Sequence, residues 1–133
     1  MAEKDEQKAV VDWFRHQYPK YFDLLTASLN GAFLHGNQGQ RMRQAVELKK
    51  QGMKPGEHDL FLYLPRGIYH GLSLEMKDRG KKISSLTDSQ HDRAALLQSV
   101  GYFAAWAPGA EAACQIIKNY INLGGFFCEN IKK

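Results

Sequence analysis

The chain has 133 residues, of which 44% are hydrophobic and 24% charged, and its formal net charge is +4. These values predict one globular domain over residues 1–133, and a mild positive charge permits a polyanionic partner without requiring one. No apolar run approaches the roughly 18 residues of a membrane span, so no membrane partner is expected. The polar N-terminus lacks a secretory signal pattern and the two cysteines lack metal-ligand spacing, which favours a cytoplasmic protein with reduced thiols.

The predicted elements alternate between helices and strands. Apolar residues at helical spacing predict a first helix over 2–18, which Pro19 ends. A short strand is expected within 21–34, entering a loop at Asn30-Gly31. The remaining elements are a basic helix over 40–51, strands over 60–64 and 69–77, a loop over 78–89, a helix over 89–100, a strand over 102–106 and a helix over 110–121. This order predicts an α/β fold with a small mixed β-sheet flanked by helices.

A chemical site is predicted at the two central strands. Asp59 precedes the first of them, and Glu75-Met76-Lys77 ends the second. Strand side chains alternate, so Glu75 and Lys77 share one face about 7 Å apart, and hairpin pairing brings Asp59 beside them. Two carboxylates and an ammonium suit a hard cation and metal-assisted attack on a phosphodiester.

The alternative for this pattern is a solvated strand face. The two strands are nearly continuous apolar runs, however, which indicates strands covered on both faces. A glutamate and a lysine at the end of a covered strand need partners or a metal.

The first helix also carries polar residues on its buried side. Glu3 and Gln7 fall within the apolar stripe, and Glu6 lies near its edge. They are candidates for reaching a polar site. Alternatively, Glu3 only complements the helix dipole.

Two basic stretches flank the central strands. The expected phosphate contacts are Arg41, Arg43, Lys49, Lys50 and Lys54 in the first stretch and Arg79, Lys81 and Lys82 in the second. A solvated helix face and a solvated loop are the alternative. Charge alone does not decide between them.

Other common catalytic motifs do not occur. The sequence lacks the hydrolase elbow, P-loop, dinucleotide and zincin patterns. The five histidines are scattered, and because His58 adjoins Asp59, a histidine–metal nuclease site stays an alternative.

Ordered sequence segments over nearly the whole chain carry a family resemblance. The segments are Glu3 to Gln7 with the helix that follows, Asn30-Gly31, Leu48 to Gly52, Pro55 to Leu60, Leu74 to Lys77, Gly80 to Ser84 with Gln90, and Gly101-Tyr102 with the closing helix to Tyr120. Together they resemble the VRR-NUC domain of the PD-(D/E)xK nuclease superfamily, in a stand-alone form that suits a phage or bacterial genome. In two places the chain departs from the pattern. His58 stands where proline is usual, and the spacing from Lys77 to Gln90 is slightly long.

The resemblance implies a restriction-endonuclease-like core and roles for particular residues. Asp59, Glu75 and the Met76 carbonyl would coordinate Mg²⁺ or Mn²⁺, since all-oxygen ligation suits those ions. Lys77 would orient the attacking water or help to deprotonate it.

Two further roles depend on the resemblance alone. Glu3 would approach the metal from the first helix, through water or a second ion. Gln90 would position water or phosphate from its helix.

The expected function is a metal-dependent, structure-specific DNA endonuclease. Single-domain members resemble Holliday-junction resolvases, so cleavage of branched DNA by a homodimer is expected. Apolar residues without a place in the predicted fold, chiefly Phe33-Leu34, Phe126 and Phe127, are candidates for the dimer contact. The alternatives are cleavage of flaps, nicks or simple duplex, and a non-catalytic DNA-binding module.

Overall fold

The computed structural model describes residues 3–28 and 34–125, with only the backbone for Glu3. The helices are α1 (Glu3–Gln17), α2 (Gln38–Lys50), α3 (Asp88–Ser99) and α4 (Ala110–Ile121), and the strands are β1 (Leu25–Ala27), β2 (Leu60–Leu62), β3 (Leu72–Lys77) and β4 (Phe103–Pro108). None of the helices in these ranges is long and apolar enough to cross a membrane. The cytoplasmic location stays a prediction.

The strands form one mixed sheet in the order β1-β2-β3-β4. The first three strands are antiparallel, and β4 runs parallel to β3 because α3 provides the crossover between them. The predicted α/β fold, with a small mixed sheet flanked by helices, is therefore confirmed.

Several strands are shorter than predicted. Pro19–Leu24 forms a 3₁₀ turn, which leaves only Leu25–Ala27 to pair with β2. Reciprocal backbone hydrogen bonds between Arg66 and Tyr69 make a tight turn, so β2 ends at Leu62 and β3 begins at Leu72. A short 3₁₀ turn, Ile83–Ser85, interrupts the predicted loop after β3. The Asn30-Gly31 turn lies outside the described residues.

The hydrophobic core lies between one face of the sheet and the helices α1 and α4. The sheet contributes Leu60, Leu62, Leu72, Leu74 and Met76, and the helices contribute Val10, Phe14, Ala113, Ile117 and Tyr120. Within this core the Tyr120 hydroxyl donates a hydrogen bond of 2.6 Å to the Leu64 carbonyl. Because these leucines point into the core, the residues that alternate with them along β2 and β3 point to the opposite face of the sheet.

Candidate functional site

Asp59 and Glu75 meet on the face of the sheet opposite the core. The register that pairs Leu60 with Leu74 places Asp59 directly opposite Glu75. The Met76 N–H donates a 2.8 Å hydrogen bond to Asp59 Oδ2, and the Ser28 N–H donates to the Asp59 carbonyl at 3.0 Å. The predicted juxtaposition of the aspartate with the Glu-x-Lys segment is therefore present in the fold.

Lys77 completes a compact cluster with Glu75. Its Nζ lies 3.8 Å from Glu75 Oε2, and the two side chains are 15% and 3% exposed. The pKa of Asp59 is raised above its ordinary value, chiefly because burial disfavours the charged form. The Met76 N–H, Glu75 and Lys77 oppose that rise. A half-buried aspartate beside a buried glutamate favours an added cation.

Gln90 reaches the same carboxylate because of how α3 begins. Thr87 is the N-cap, and Gln90 at the third helical position closes a capping box with it. The Gln90 Oε1 accepts the Thr87 N–H at 2.9 Å, while its Nε2 donates to Glu75 Oε2 at 2.7 Å. In this arrangement Gln90 fixes the orientation of Glu75, a contact that the predicted role with water or phosphate did not include.

His58 is buried and links the sheet to α3, a role that the sequence does not predict. The residue is 4% exposed, and its ring has Nδ1 at 2.9 Å from Ser73 Oγ and Nε2 at 3.3 Å from the Gln90 carbonyl. Burial lowers the pKa of His58, so the neutral ring donates from Nε2 and accepts the Ser73 hydroxyl at Nδ1. Both ring nitrogens are therefore engaged by the sheet and α3. No sequence pattern pointed to these partners.

Glu6 is the buried glutamate of α1. It is 0% exposed, Arg79 Nη2 lies 3.2 Å from its Oε1, and the Ala110 N–H donates to its Oε2. The Ala110 hydrogen bond and the Arg79 charge hold the pKa of Glu6 below its usual value. Glu6 lies only near the edge of the apolar stripe in sequence, so helical spacing favours Glu3 and Gln7 as the inward-facing polar residues. The side chain of Glu3 is outside the described part of the chain.

The predicted phosphate-binding residues lie at the surface. All of them are exposed, namely Arg41, Arg43, Lys49, Lys50, Lys54, Arg79, Lys81 and Lys82. Arg79 is additionally paired with Glu6, and Lys50 Nζ lies 3.4 Å from Glu47. Their exposure is compatible both with DNA contact and with simple solvation, so their role stays a prediction.

The donor chemistry of the site fits a hard divalent cation. Among residues 3–28 and 34–125, no group of three or more His, Cys, Asp or Glu side chains is arranged to hold a metal. Both ring nitrogens of His58 already have protein partners, so its geometry gives the histidine–metal alternative no support. Asp59 and Glu75 supply carboxylate oxygens, and the adjacent Met76 carbonyl is the predicted third oxygen, a donor set that suits Mg²⁺ or Mn²⁺.

These features define a small α/β protein with an acidic, lysine-containing centre on one sheet face. Its sequence matches no family model and no curated protein. Among solved structures it is similar to one described as "VRR_NUC domain protein", with a TM-score of 0.76 and 31% identity, over 95% of this chain and 93% of that one. The chain belongs to the VRR-NUC domain family, a family of nuclease domains, as its sequence segments indicated.

Proposed function

We propose that the protein is a metal-dependent DNA endonuclease that hydrolyses phosphodiester bonds with Mg²⁺ or Mn²⁺. The observation that carries this proposal is the convergence of Asp59, Glu75 and Lys77 on one sheet face. Membership of a nuclease-domain family supports the reaction class. A non-catalytic DNA-binding module would have no need to keep all three residues together.

Each residue of the centre has a role that follows from its contacts. Asp59, Glu75 and the Met76 carbonyl would hold the ion, which when bound supplies charge stabilisation and a more acidic water. The Lys77 ammonium, beside Glu75, is placed to orient the attacking water, and its positive charge helps that water to lose a proton to solvent by stabilising the hydroxide that remains. Gln90 keeps Glu75 in position through its 2.7 Å hydrogen bond. Glu3 approaching from α1 stays part of the proposal.

Isosteric removal of charge tests the metal site. Asp59→Asn and Glu75→Gln should each abolish Mn²⁺ binding in calorimetry and cleavage of labelled DNA, while thermal unfolding stays cooperative. Glu47→Gln is the matched control, because Glu47 is a carboxylate exposed on α2. Mn²⁺ binding that survives both site substitutions would refute the assignment.

We further propose branched DNA, such as a four-way junction, as the substrate and a homodimer as the working unit. One chain offers one proposed centre, whereas symmetric resolution of a junction needs two cuts, which a two-fold dimer provides. Met42 and Val46 support a self-association surface, since they lie one turn apart on α2 and are 62% and 51% exposed. Of the dimer-contact candidates from the sequence, Leu34 is half-buried, and Phe33, Phe126 and Phe127 lie outside the described residues.

Sedimentation tests the dimer, and substrate comparison tests its consequence. The protein should sediment at about 30 kDa, twice the 15.1 kDa of the chain, and Met42→Ser with Val46→Ser should shift it toward monomer. Ile68→Ser, at a 66% exposed site elsewhere, is the control. A protein that stays monomeric on junction DNA, and cuts flaps or plain duplex equally well, would replace the resolvase proposal with the flap or duplex alternative.

A further inference from the structure

A cavity of about 440 Å³ opens beside Asp59 on the face that carries the proposed metal site. Ser28 and His58 both line the cavity. The Ser28 N–H bonds the Asp59 carbonyl, and His58 precedes Asp59 in the chain. The cavity thus begins at the backbone that positions the metal-binding carboxylate. Its volume falls in the range of about 300–1,000 Å³ typical of small-molecule sites.

The wall of this cavity contains an aromatic cluster, which we define as Phe61, Tyr63 and Tyr102. The ring centroids of Phe61 and Tyr63 are 4.5 Å apart, and those of Phe61 and Tyr102 are 5.6 Å apart. Tyr63 is 59% exposed even though its neighbours in the chain, Leu62 and Leu64, are in the core. An aromatic cluster that is accessible on the face carrying the proposed metal site is suited to stacking against a planar ligand.

The spacing along β2 relates this cluster to the site of chemistry. Asp59 and Phe61 are two residues apart on the same face, which corresponds to about 7 Å along a strand. A nucleotide adjoining the cleaved phosphodiester would therefore meet Phe61 with its base.

The polar atoms of the cavity favour a ligand that offers hydrogen-bond acceptors. Ser28 Oγ and Arg93 Nε are both buried and have no hydrogen-bond partner within the described residues. The Arg93 guanidinium is fixed by an ion pair with Glu57, so its orientation is set before a ligand arrives. Lys54 adds an exposed cation to the lining. Nucleobases present ring faces for stacking and acceptors at their edges, and the adjoining phosphates suit a lysine.

We propose that this cavity binds an unpaired nucleotide next to the cleaved bond, with its base stacked on the aromatic cluster. Ser28 and Arg93 donate hydrogen bonds to the base edge, and Lys54 contacts the backbone phosphate. The inference rests on the proposed nuclease function and adds that the branched substrate presents an unpaired nucleotide at the branch, either where a four-way junction opens at its crossing point or where a flap leaves the duplex. A base that stays paired within a duplex cannot present its face to Phe61 and Tyr63.

Binding measurements without cleavage test the proposal directly. The probes are labelled oligothymidylate and a flap with 2-aminopurine as its branch-point base, each in EDTA, with a blunt duplex for comparison. Tyr63→Ala and Phe61→Leu should weaken oligothymidylate binding roughly 5- to 150-fold, the loss expected for one stacked base. They should also remove the 2-aminopurine quenching and leave duplex binding within about twofold. Tyr63 is mostly exposed, so Tyr63→Ala leaves the core unchanged, and Ile68→Ala is the matched surface control.

The outcomes separate this inference from the nuclease proposal. Wild-type binding and quenching in both variants would overturn the nucleotide site even if cleavage is normal. Equal losses of duplex binding and flap binding would also overturn it. A variant that sediments differently but binds oligothymidylate normally would overturn it too, and would assign the aromatic cluster to a contact between copies of the chain. Selective loss of single-strand binding would support the site even in a protein that cuts no DNA with Mg²⁺ or Mn²⁺.

Discussion

The carboxylate of Glu6, near the start of the first helix, accepts a hydrogen bond from the Ala110 N–H at the start of the last helix. The N-cap of α4 is Gly109, which has no side chain to satisfy the free N–H groups of that helix end. Glu6 therefore supplies the cap from another element, and its negative charge complements the helix dipole. Arg79, two residues beyond Lys77, pairs with the same carboxylate and ties the end of β3 to this junction.

Acid should destabilise the protein partly through Glu6. The folded pKa of Glu6 lies below its ordinary value of 4.5, so its stabilising contribution is present above that value and is lost as pH falls through the lower folded pKa. Glu6→Gln keeps an acceptor for Ala110 but removes the charge. Its unfolding free energy should be lower than that of the wild type at pH 7, and the difference should shrink toward pH 3. Urea titrations at several pH values measure this, with Asp12→Asn, exposed on the same helix, as control. If the unfolding free energies of wild type and Glu6→Gln, plotted against pH, stay parallel down to pH 3, the prediction is contradicted.

His58 and Ser73 should contribute to stability as a coupled pair. His58 joins β3 to the first turn of α3 through Ser73 and the Gln90 carbonyl. His58→Ala should cost roughly 1–3 kcal/mol, because it leaves the fully buried Ser73 hydroxyl without this partner. A double-mutant cycle with Ser73→Ala should give a coupling energy of about 0.5–3 kcal/mol, measured by denaturant unfolding. Strictly additive effects would mean that the 2.9 Å contact contributes nothing.

The sequence predicted the part of the site that depends on local alternation and did not predict the part that depends on helix placement. Asp59, Glu75 and Lys77 could be brought together because strand period and hairpin pairing fix their face. The partners of His58 are 15 and 32 residues away and come from two different elements, so no local pattern reveals them. Gln90 was suggested by family resemblance, but its contact with Glu75 depends on where α3 packs against the sheet.

The boundaries of helices and strands, too, could be predicted where a local pattern determines them and not where tertiary packing does. The closing helix was predicted over its observed range, Ala110–Ile121, because its apolar face repeats at helical spacing. The first strand was predicted within a much longer segment, since apolar residues such as Phe22 and Leu24 fit a strand as well as the 3₁₀ turn that they form. Helical spacing gives no sign that Glu6 is buried, because a position at the edge of a helical stripe becomes buried only when a second helix, here α4, packs over it.

Lys77 should serve the chemical step more than DNA affinity. Its ammonium is mostly buried beside Glu75, where it can hold a water and has little surface to offer to the DNA backbone. Lys77→Ala should lower the single-turnover cleavage rate by about two to four orders of magnitude, the usual range for loss of a positioned acid–base group, with DNA binding changed less than about threefold. Lys118→Ala, at an exposed lysine of α4 on the opposite side of the sheet, is the control. A Lys77 variant that cuts at the normal rate once bound would refute the assignment.

The salt dependence of DNA binding should reveal whether the basic surfaces contact phosphate. Arg43 and Lys50 lie two turns apart on α2, and Lys81 and Lys82 are exposed in the loop after β3. Each phosphate contact releases counterions, so charge reversal of either pair should weaken binding and reduce the slope of log K against log salt by about 0.9 per lost contact. Lys118→Glu is the matched control, because α4 packs on the opposite face of the sheet. Fluorescence anisotropy over a range of salt concentrations measures the slopes. A slope equal to that of the wild type for one pair would assign that segment to a solvated surface, and a reduced slope in Lys118→Glu would show that net charge, not a defined contact surface, governs DNA binding.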